Sequence, residues 1–216
     1  MRRRIAAAVV LALAALALAS GRAAASSRVI VVLGDSLTAG PSLDDAYPAQ
    51  LEARLGREGY DYRVVNAGVS GDTSAGGLRR VDWVLRQQPE IVIVALGAND
   101  GLRGLPVPAL RQNLVAIVDR VRASGAKVLL AGMRVPPNYG AEYSREFMKA
   151  FEDVAREKHV PLMPFLLEGV AGHAHLNLAD GIHPTPEGQR IIAEHVWPHL
   201  RALLTKPAAA KSPRAL

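Results

Sequence analysis

Cysteine is absent from all 216 residues. Its absence excludes disulfides, a thiolate nucleophile and Cys-ligated zinc. A lipoprotein anchor is excluded too, because that modification needs a cysteine at the cleavage point. The fold must therefore rest on its hydrophobic core, which a chain of this length can bury. An uninterrupted apolar run of membrane-spanning length, about 20 residues, is also missing. The run Ile5 to Ala19 has 15 residues, and no acidic residue precedes Ser26. With Arg2, Arg3 and Arg4 ahead of it and Ala23-Ala24-Ala25 behind it, this segment has the pattern of a secretory leader. We therefore expect a signal peptide at 1–25, export to the periplasm or medium, and no stable membrane anchor after cleavage.

The formal charge of +6 overstates the basic character of the body. Arg2, Arg3, Arg4 and Arg22 lie in the leader, and Lys206, Lys211 and Arg214 lie in a tail at 206–216 that reads as disordered. The segment 26–205 is close to neutral, so nucleic acid has no electrostatic claim on it. It shows no internal repeat and no second domain.

Within 26–205, strand and helix patterns alternate. Val29 to Leu33 is an apolar stretch with four β-branched residues, and Glu90 to Leu96 is another, both as expected of buried parallel strands. Shorter strands are expected at Tyr62 to Val65, broken by Asn66-Ala67-Gly68, at Lys127 to Ala131 and at Val160 to Met163. Between them, apolar residues recur at helical spacing: Tyr47, Leu51 and Leu55; Leu78, Val81 and Leu85; Leu110, Leu114, Ile117 and Val121; Phe147, Phe151 and Val154. A last helix begins at Thr185-Pro186, where Thr suits the N-cap and Pro the first helical position, and runs to about Leu204. Five strands separated by helices predict an α/β fold: a three-layer α/β/α sandwich with a flavodoxin-like, five-stranded parallel sheet.

Loops after the first three strands then share one rim, where open α/β sheets bind ligands. They read Gly34-Asp35-Ser36-Leu37, Asn66-Ala67-Gly68-Val69-Ser70-Gly71-Asp72-Thr73-Ser74 and Leu96-Gly97-Ala98-Asn99-Asp100-Gly101. Any one of these is ordinary turn chemistry. Together they offer a nucleophile, Ser36, and three donors for an oxyanion: the Ser36 N–H, the Gly71 N–H and the Asn99 side chain. Asp180-Gly181-Ile182-His183-Pro184, ahead of the last helix, places a carboxylate three residues from a histidine. That pair suits a base and its orienting group. It would equally suit a capping turn or half of a metal site, although a catalytic zinc wants three protein ligands. His173-x-His175 falls short of a ligand set for the same reason. Asp35 and Asp100 read as structural caps of loop N–H groups. Leu102, Leu105 and Pro106 read as a mobile apolar flap over an acyl chain, and the stretch from Pro136 to Gly140, with Tyr139, as a second rim loop.

These blocks, in this order, resemble the GDSL/SGNH hydrolase family, within it the periplasmic bacterial thioesterases and lysophospholipases. The likeness runs from Arg28 to about Leu203. It implies Ser36, Asp180 and His183 as catalytic triad, Gly71 and Asn99 as oxyanion residues, and no cofactor or metal. It also implies a monomer acting on small-molecule esters, thioesters, aryl esters and lysophospholipids. Ala98, where a second glycine is usual, and the acidic tract Pro41 to Asp45 depart from the subgroup pattern and bear on substrate preference. The competing readings are a carbohydrate O-acetyl esterase of the same fold and a non-catalytic lipid-binding module. The serine does not sit in the Gly-x-Ser-x-Gly elbow of the α/β-hydrolases.

Overall fold

A computed structural model describes residues 27–205. The expected leader and tail lie outside the described residues. Strands β1 (Arg28–Gly34), β2 (Tyr62–Gly68), β3 (Ile91–Ala95), β4 (Lys127–Ala131) and β5 (Leu162–Met163) form one parallel sheet in the order β2-β1-β3-β4-β5. Helices α1 (Ser36–Ala39), α2 (Tyr47–Arg57), α3 (Ser74–Leu85), α4 (Ala98–Leu102), α5 (Val107–Ala123), α6 (Ala141–Lys158) and α7 (Pro186–Arg201) connect them or follow them. Ile91 to Val94 are fully buried, as are Ile30 to Leu33, so both central strands are covered on both faces. This is why their sequences are apolar throughout instead of alternating. Among the described residues no helix is long and apolar enough to cross a membrane.

The register defines the functional rim. Gly34 stands opposite both Gly68 of β2 and Ala95 of β3. Three strands thus end at one level, and the order reverses at β1, so the loops following β1, β2 and β3 emerge side by side. Glycine is needed there for close approach. A Cβ on Gly34 would lie 2.0 Å from Thr38 Oγ1, and one on Gly68 would lie 2.3 Å from the Ala39 nitrogen. Short helix α1 therefore packs directly over both strand ends.

Three boundaries differ from expectation. β2 continues through Asn66-Ala67-Gly68, paired with Val32, Leu33 and Gly34. Asn66 compensates for its turn-like character locally: its Oδ1 accepts from Gly68 N at 3.0 Å and its Nδ2 donates to Thr38 O at 2.9 Å. β5 is reduced to two residues. Pro161, immediately before it, has no N–H to donate. Helix α7 starts at Pro186, with the Thr185 side chain accepting from Gly188 N, and ends at Arg201, ahead of the expected Leu204.

Candidate active site

Ser36 is the first residue of α1. Asp35 caps the helix, its Oδ1 accepting the Leu37 N–H at 3.0 Å, and leaves the Ser36 N–H directed outward. Among the described residues no acceptor takes that N–H or the N–H of Gly71. Gly71 has φ +78°, a left-handed conformation that glycine adopts without strain.

His183 reaches Ser36 from the opposite end of the chain. Its Nε2 lies 2.9 Å from Ser36 Oγ, and its Nδ1 lies 2.7 Å from Asp180 Oδ2. The second carboxylate oxygen, Oδ1, accepts the Ile182 N–H at 2.8 Å and the His183 N–H at 3.0 Å. These hydrogen bonds, the His183 backbone first among them, hold the Asp180 carboxyl down at about 2. An ionised Asp180 keeps the imidazole proton on Nδ1, so the Nε2 lone pair faces the serine hydroxyl. The turn is closed from within: Leu178 N donates to His183 O at 2.7 Å and Gly181 N to Leu178 O at 2.9 Å. Gln189, buried on α7, ties this turn to the nucleophile. Its Nε2 donates to Leu37 O at 3.0 Å, and its Oε1 accepts from Tyr47 N at 2.8 Å.

Asn99 extends from α4 beside Ser36. Its Nδ2 donates to Asp72 O at 2.9 Å and stands 3.5 Å from Asp35 Oδ2. The amide thus bridges the loops after β1 and β2, through Asp35 and Asp72. That loop is held on three sides. Arg80 of α3 donates to Asp72 Oδ2 at 2.7 Å, to Ala67 O at 2.8 Å and to Gly34 O at 2.8 Å. Asp100, buried, accepts from Ser74 N at 2.7 Å and from Ser74 Oγ at 2.5 Å. Arg103 donates to Gly71 O at 2.8 Å. One guanidinium, that of Arg80, thus ties together the ends of β1 and β2 and the Gly71-Asp72 segment.

The model of the GDSL-like lipase/acylhydrolase family matches residues 32–191. Esterase TesA of Pseudomonas aeruginosa is 48% identical over 183 residues, covering 83% of this chain and 91% of that protein. Thioesterase 1/protease 1/lysophospholipase L1 of Escherichia coli K12 is 41% identical over 184 residues, covering 84% and 87%. The crystal structure of the psychrotrophic esterase EstA from Pseudoalteromonas sp., inhibited by monoethylphosphonate, superposes with a TM-score of 0.77 at 35% identity, covering 81% of this chain and 97% of EstA. The chain belongs to the GDSL-like lipase/acylhydrolase family.

What surrounds the serine bears on substrate. A cavity of about 490 Å³ runs along the rim away from Ser36, in the direction of β3, β4 and β5. Leu37, Ala98 and Leu102 line its near end; Met133, Val135, Phe165 and Leu167, from the loops after β4 and β5, line the rest. Ala171, Gly181 and Ile182 also line it. Of the expected substrate contacts, Leu102 lines this cavity, whereas Leu105, Pro106 and Tyr139 do not. The Tyr139 hydroxyl donates to Leu102 O at 2.7 Å and that of Tyr143 to Leu105 O at 2.9 Å. The segment expected as a mobile flap is thus pinned by two tyrosines, with Pro106 as the cap residue of α5. His173 and His175 stand edge to face, 6.1 Å between ring centroids. They belong to no group of three or more metal-ligating side chains among the described residues.

Asp35 is the one carboxyl in the site raised in pKa. Burial drives it up to about 6 against the lowering effect of the Leu37 N–H and the Asn99 amide. The group is 1% exposed, so the shift has consequences for stability. A raised folded-state pKa favours the protonated form. The native state therefore loses stability as pH rises from the ordinary carboxylate range to about 6. At full ionisation the loss is about 3 kcal/mol. Asp35→Asn keeps an oxygen for Leu37 N without the charge. Its unfolding free energy relative to wild type should rise by about 2 kcal/mol between pH 4 and pH 7. Urea titrations at the two pH values measure this, and a difference that stays flat would contradict the assignment.

Proposed function

We propose that this chain is a serine hydrolase of carboxylic esters and thioesters that works through an acyl-enzyme on Ser36. The observation that carries the reading is the relay Asp180–His183–Ser36, with contacts of 2.7 Å and 2.9 Å, beside a largely apolar cavity of about 490 Å³. In the first half-reaction Ser36 Oγ attacks the carbonyl carbon while His183 Nε2 takes its proton. The carbonyl oxygen becomes an oxyanion facing Ser36 N–H, Gly71 N–H and the Asn99 amide. The C–O or C–S bond then breaks, and His183 returns the proton to the leaving atom. Water adds to the acyl-enzyme with His183 again as base, and the carboxylic acid leaves. The chain's own residues suffice for each step.

The acyl chain occupies the cavity that extends under the loops after β3, β4 and β5. Its apolar length argues against an O-acetyl esterase, and the complete relay argues against a lipid carrier. The leader expected at 1–25 directs the enzyme out of the cytoplasm, which puts exported esters and lysophospholipids ahead of cytosolic acyl-CoA as its substrates.

The test is a ladder of p-nitrophenyl esters from acetyl to palmitoyl. Medium or long chains should be preferred to acetyl. Ala171→Trp, which adds an indole at a residue lining the cavity, should lower the octanoyl-to-acetyl ratio of kcat/KM about tenfold or more. Hydrolysis confined to acetyl esters would overturn the acyl assignment.

A further inference from the structure

Two cavities lie beside the relay, one of them lined by Ser36 itself, and the reaction distinguishes them. The smaller, of about 130 Å³, is lined by Ser36, His183, Gly40, Pro41, Ser70 and Leu178 among others. The larger is lined by neither Ser36 nor His183 and begins at their neighbours Leu37 and Ile182. His183 Nε2 must deliver a proton to the departing oxygen or sulfur, and proton transfer needs hydrogen-bond reach. The leaving group therefore lies on the side that His183 lines. The larger cavity reaches the loops after β3 and β4, which the smaller one does not, whereas Gly40, Pro41 and Ser70 of the smaller one follow β1 and β2; the segment before α7 contributes to both, through Gly181 and Ile182 in one and His183 in the other.

We propose that the smaller cavity is the leaving-group subsite and that it takes the uncharged fragment of the alcohol or thiol next to the scissile bond, about one aromatic ring in size, with any charged remainder lying outside it. The proposal rests on the reading of Ser36 as nucleophile and His183 as base. Size sets the upper limit: 130 Å³ equals the share of about four water molecules in the liquid. That is below the volume of a whole-ligand pocket and suited to one fragment. The character of the surroundings sets the chemistry. Leu178 and Pro41 supply apolar surface to the cavity, and neither lysine nor arginine lines it. An anionic group placed inside would find no ion pair, with Asp180 behind His183 to oppose it.

The test is a second ladder that varies the alcohol and holds the acyl group constant: methyl, phenyl and 1-naphthyl butyrate. The quantity read is kcat/KM, which reports acylation, the step in which the leaving group is still present. Comparing each variant with wild type cancels the intrinsic reactivity of the ester. Leu178→Trp and Ser70→Phe narrow the smaller cavity from two different exposed loops, and circular dichroism verifies their folding. Each should lower the phenyl-to-methyl ratio about tenfold or more. Ala171→Trp should lower the long-to-short acyl ratio and leave the phenyl-to-methyl ratio within about twofold. Variants at 70 and 178 that shift the acyl ladder, or neither ladder, overturn the subsite. An absence of Ser36-dependent hydrolysis of every ester overturns the functional reading along with it.

Discussion

Ser36→Ala is expected to lower kcat for p-nitrophenyl butyrate by about five orders of magnitude, with KM changed by less than about threefold. Ser36 Oγ is the group poised on His183 Nε2 at 2.9 Å, so its removal deletes the covalent route and leaves the oxyanion donors and both cavities in place. Those remaining parts still bind and polarise the ester, which leaves a residual rate of about 10³ over water. Because nucleophile and base act as one unit, Ser36→Ala/His183→Ala should be no slower than either single variant by more than about threefold. Stability should change by less than about 0.5 kcal/mol, since the side chain is not part of the buried core. Steady-state hydrolysis, with phosphonate titration of the serine, measures all three. Activity within about tenfold of wild type in Ser36→Ala would remove the proposed mechanism.

Asp180→Asn is expected to cost about 10⁴ in kcat while leaving the turn intact. The structure indicates which way the new amide would face. Ile182 N–H and His183 N–H both point at Oδ1, so the amide oxygen takes that place. The NH₂ group is then presented to His183 Nδ1, which must accept. The imidazole proton moves to Nε2, and a protonated Nε2 cannot take the proton of Ser36. The defect is one of tautomer, so a crystal structure of the variant should superpose on the native turn while the activity is lost. A kcat within about tenfold of wild type would mean that Asp180 does not orient the base.

Much of this arrangement could be read from the chain before any coordinates, and the reasons are specific. Val29 to Leu33 and Ile91 to Leu96 are continuous apolar segments whose only comfortable place is the middle of a parallel sheet. Ser36, Gly71, Asn99 and the Asp180–His183 pair stand at ends of elements, where punctuation by glycine and proline makes position legible. The parts that could not be read depend on which loops become neighbours. Met133 to Val135, Phe165 and Leu167 resemble ordinary core sequence until the strand order brings the loops after β4 and β5 alongside that after β3, whereas Pro136 and Pro137, in the stretch read as a second rim loop, line the same cavity. Arg80 is an unremarked basic residue on a helix until its three acceptors, Asp72, Ala67 and Gly34, are seen together. Leu105 and Tyr139 had the right polarity for substrate contacts. Two tyrosyl hydroxyls instead fasten their segments to each other, a pairing with no local signature. Gly34 ends β1, and its missing side chain leaves room for Thr38, a contact with no local signature.

The way the Asp180–His183 turn closes on itself sets the number of ways this site can come apart. Acid and base share one turn, Leu178 to His183, that is closed by its own backbone hydrogen bonds, so any rigid displacement of the turn with α7 carries both together and leaves their mutual distance unchanged. The nucleophile, 147 positions away, does not travel with them. Of the two distances a triad must keep, one is stiff by construction. The other, from Oγ to Nε2, absorbs all relative motion between the first strand and the last helix. The relay has a single soft coordinate, and Gln189, which joins α7 to Leu37 across that gap, is the spring that restrains it.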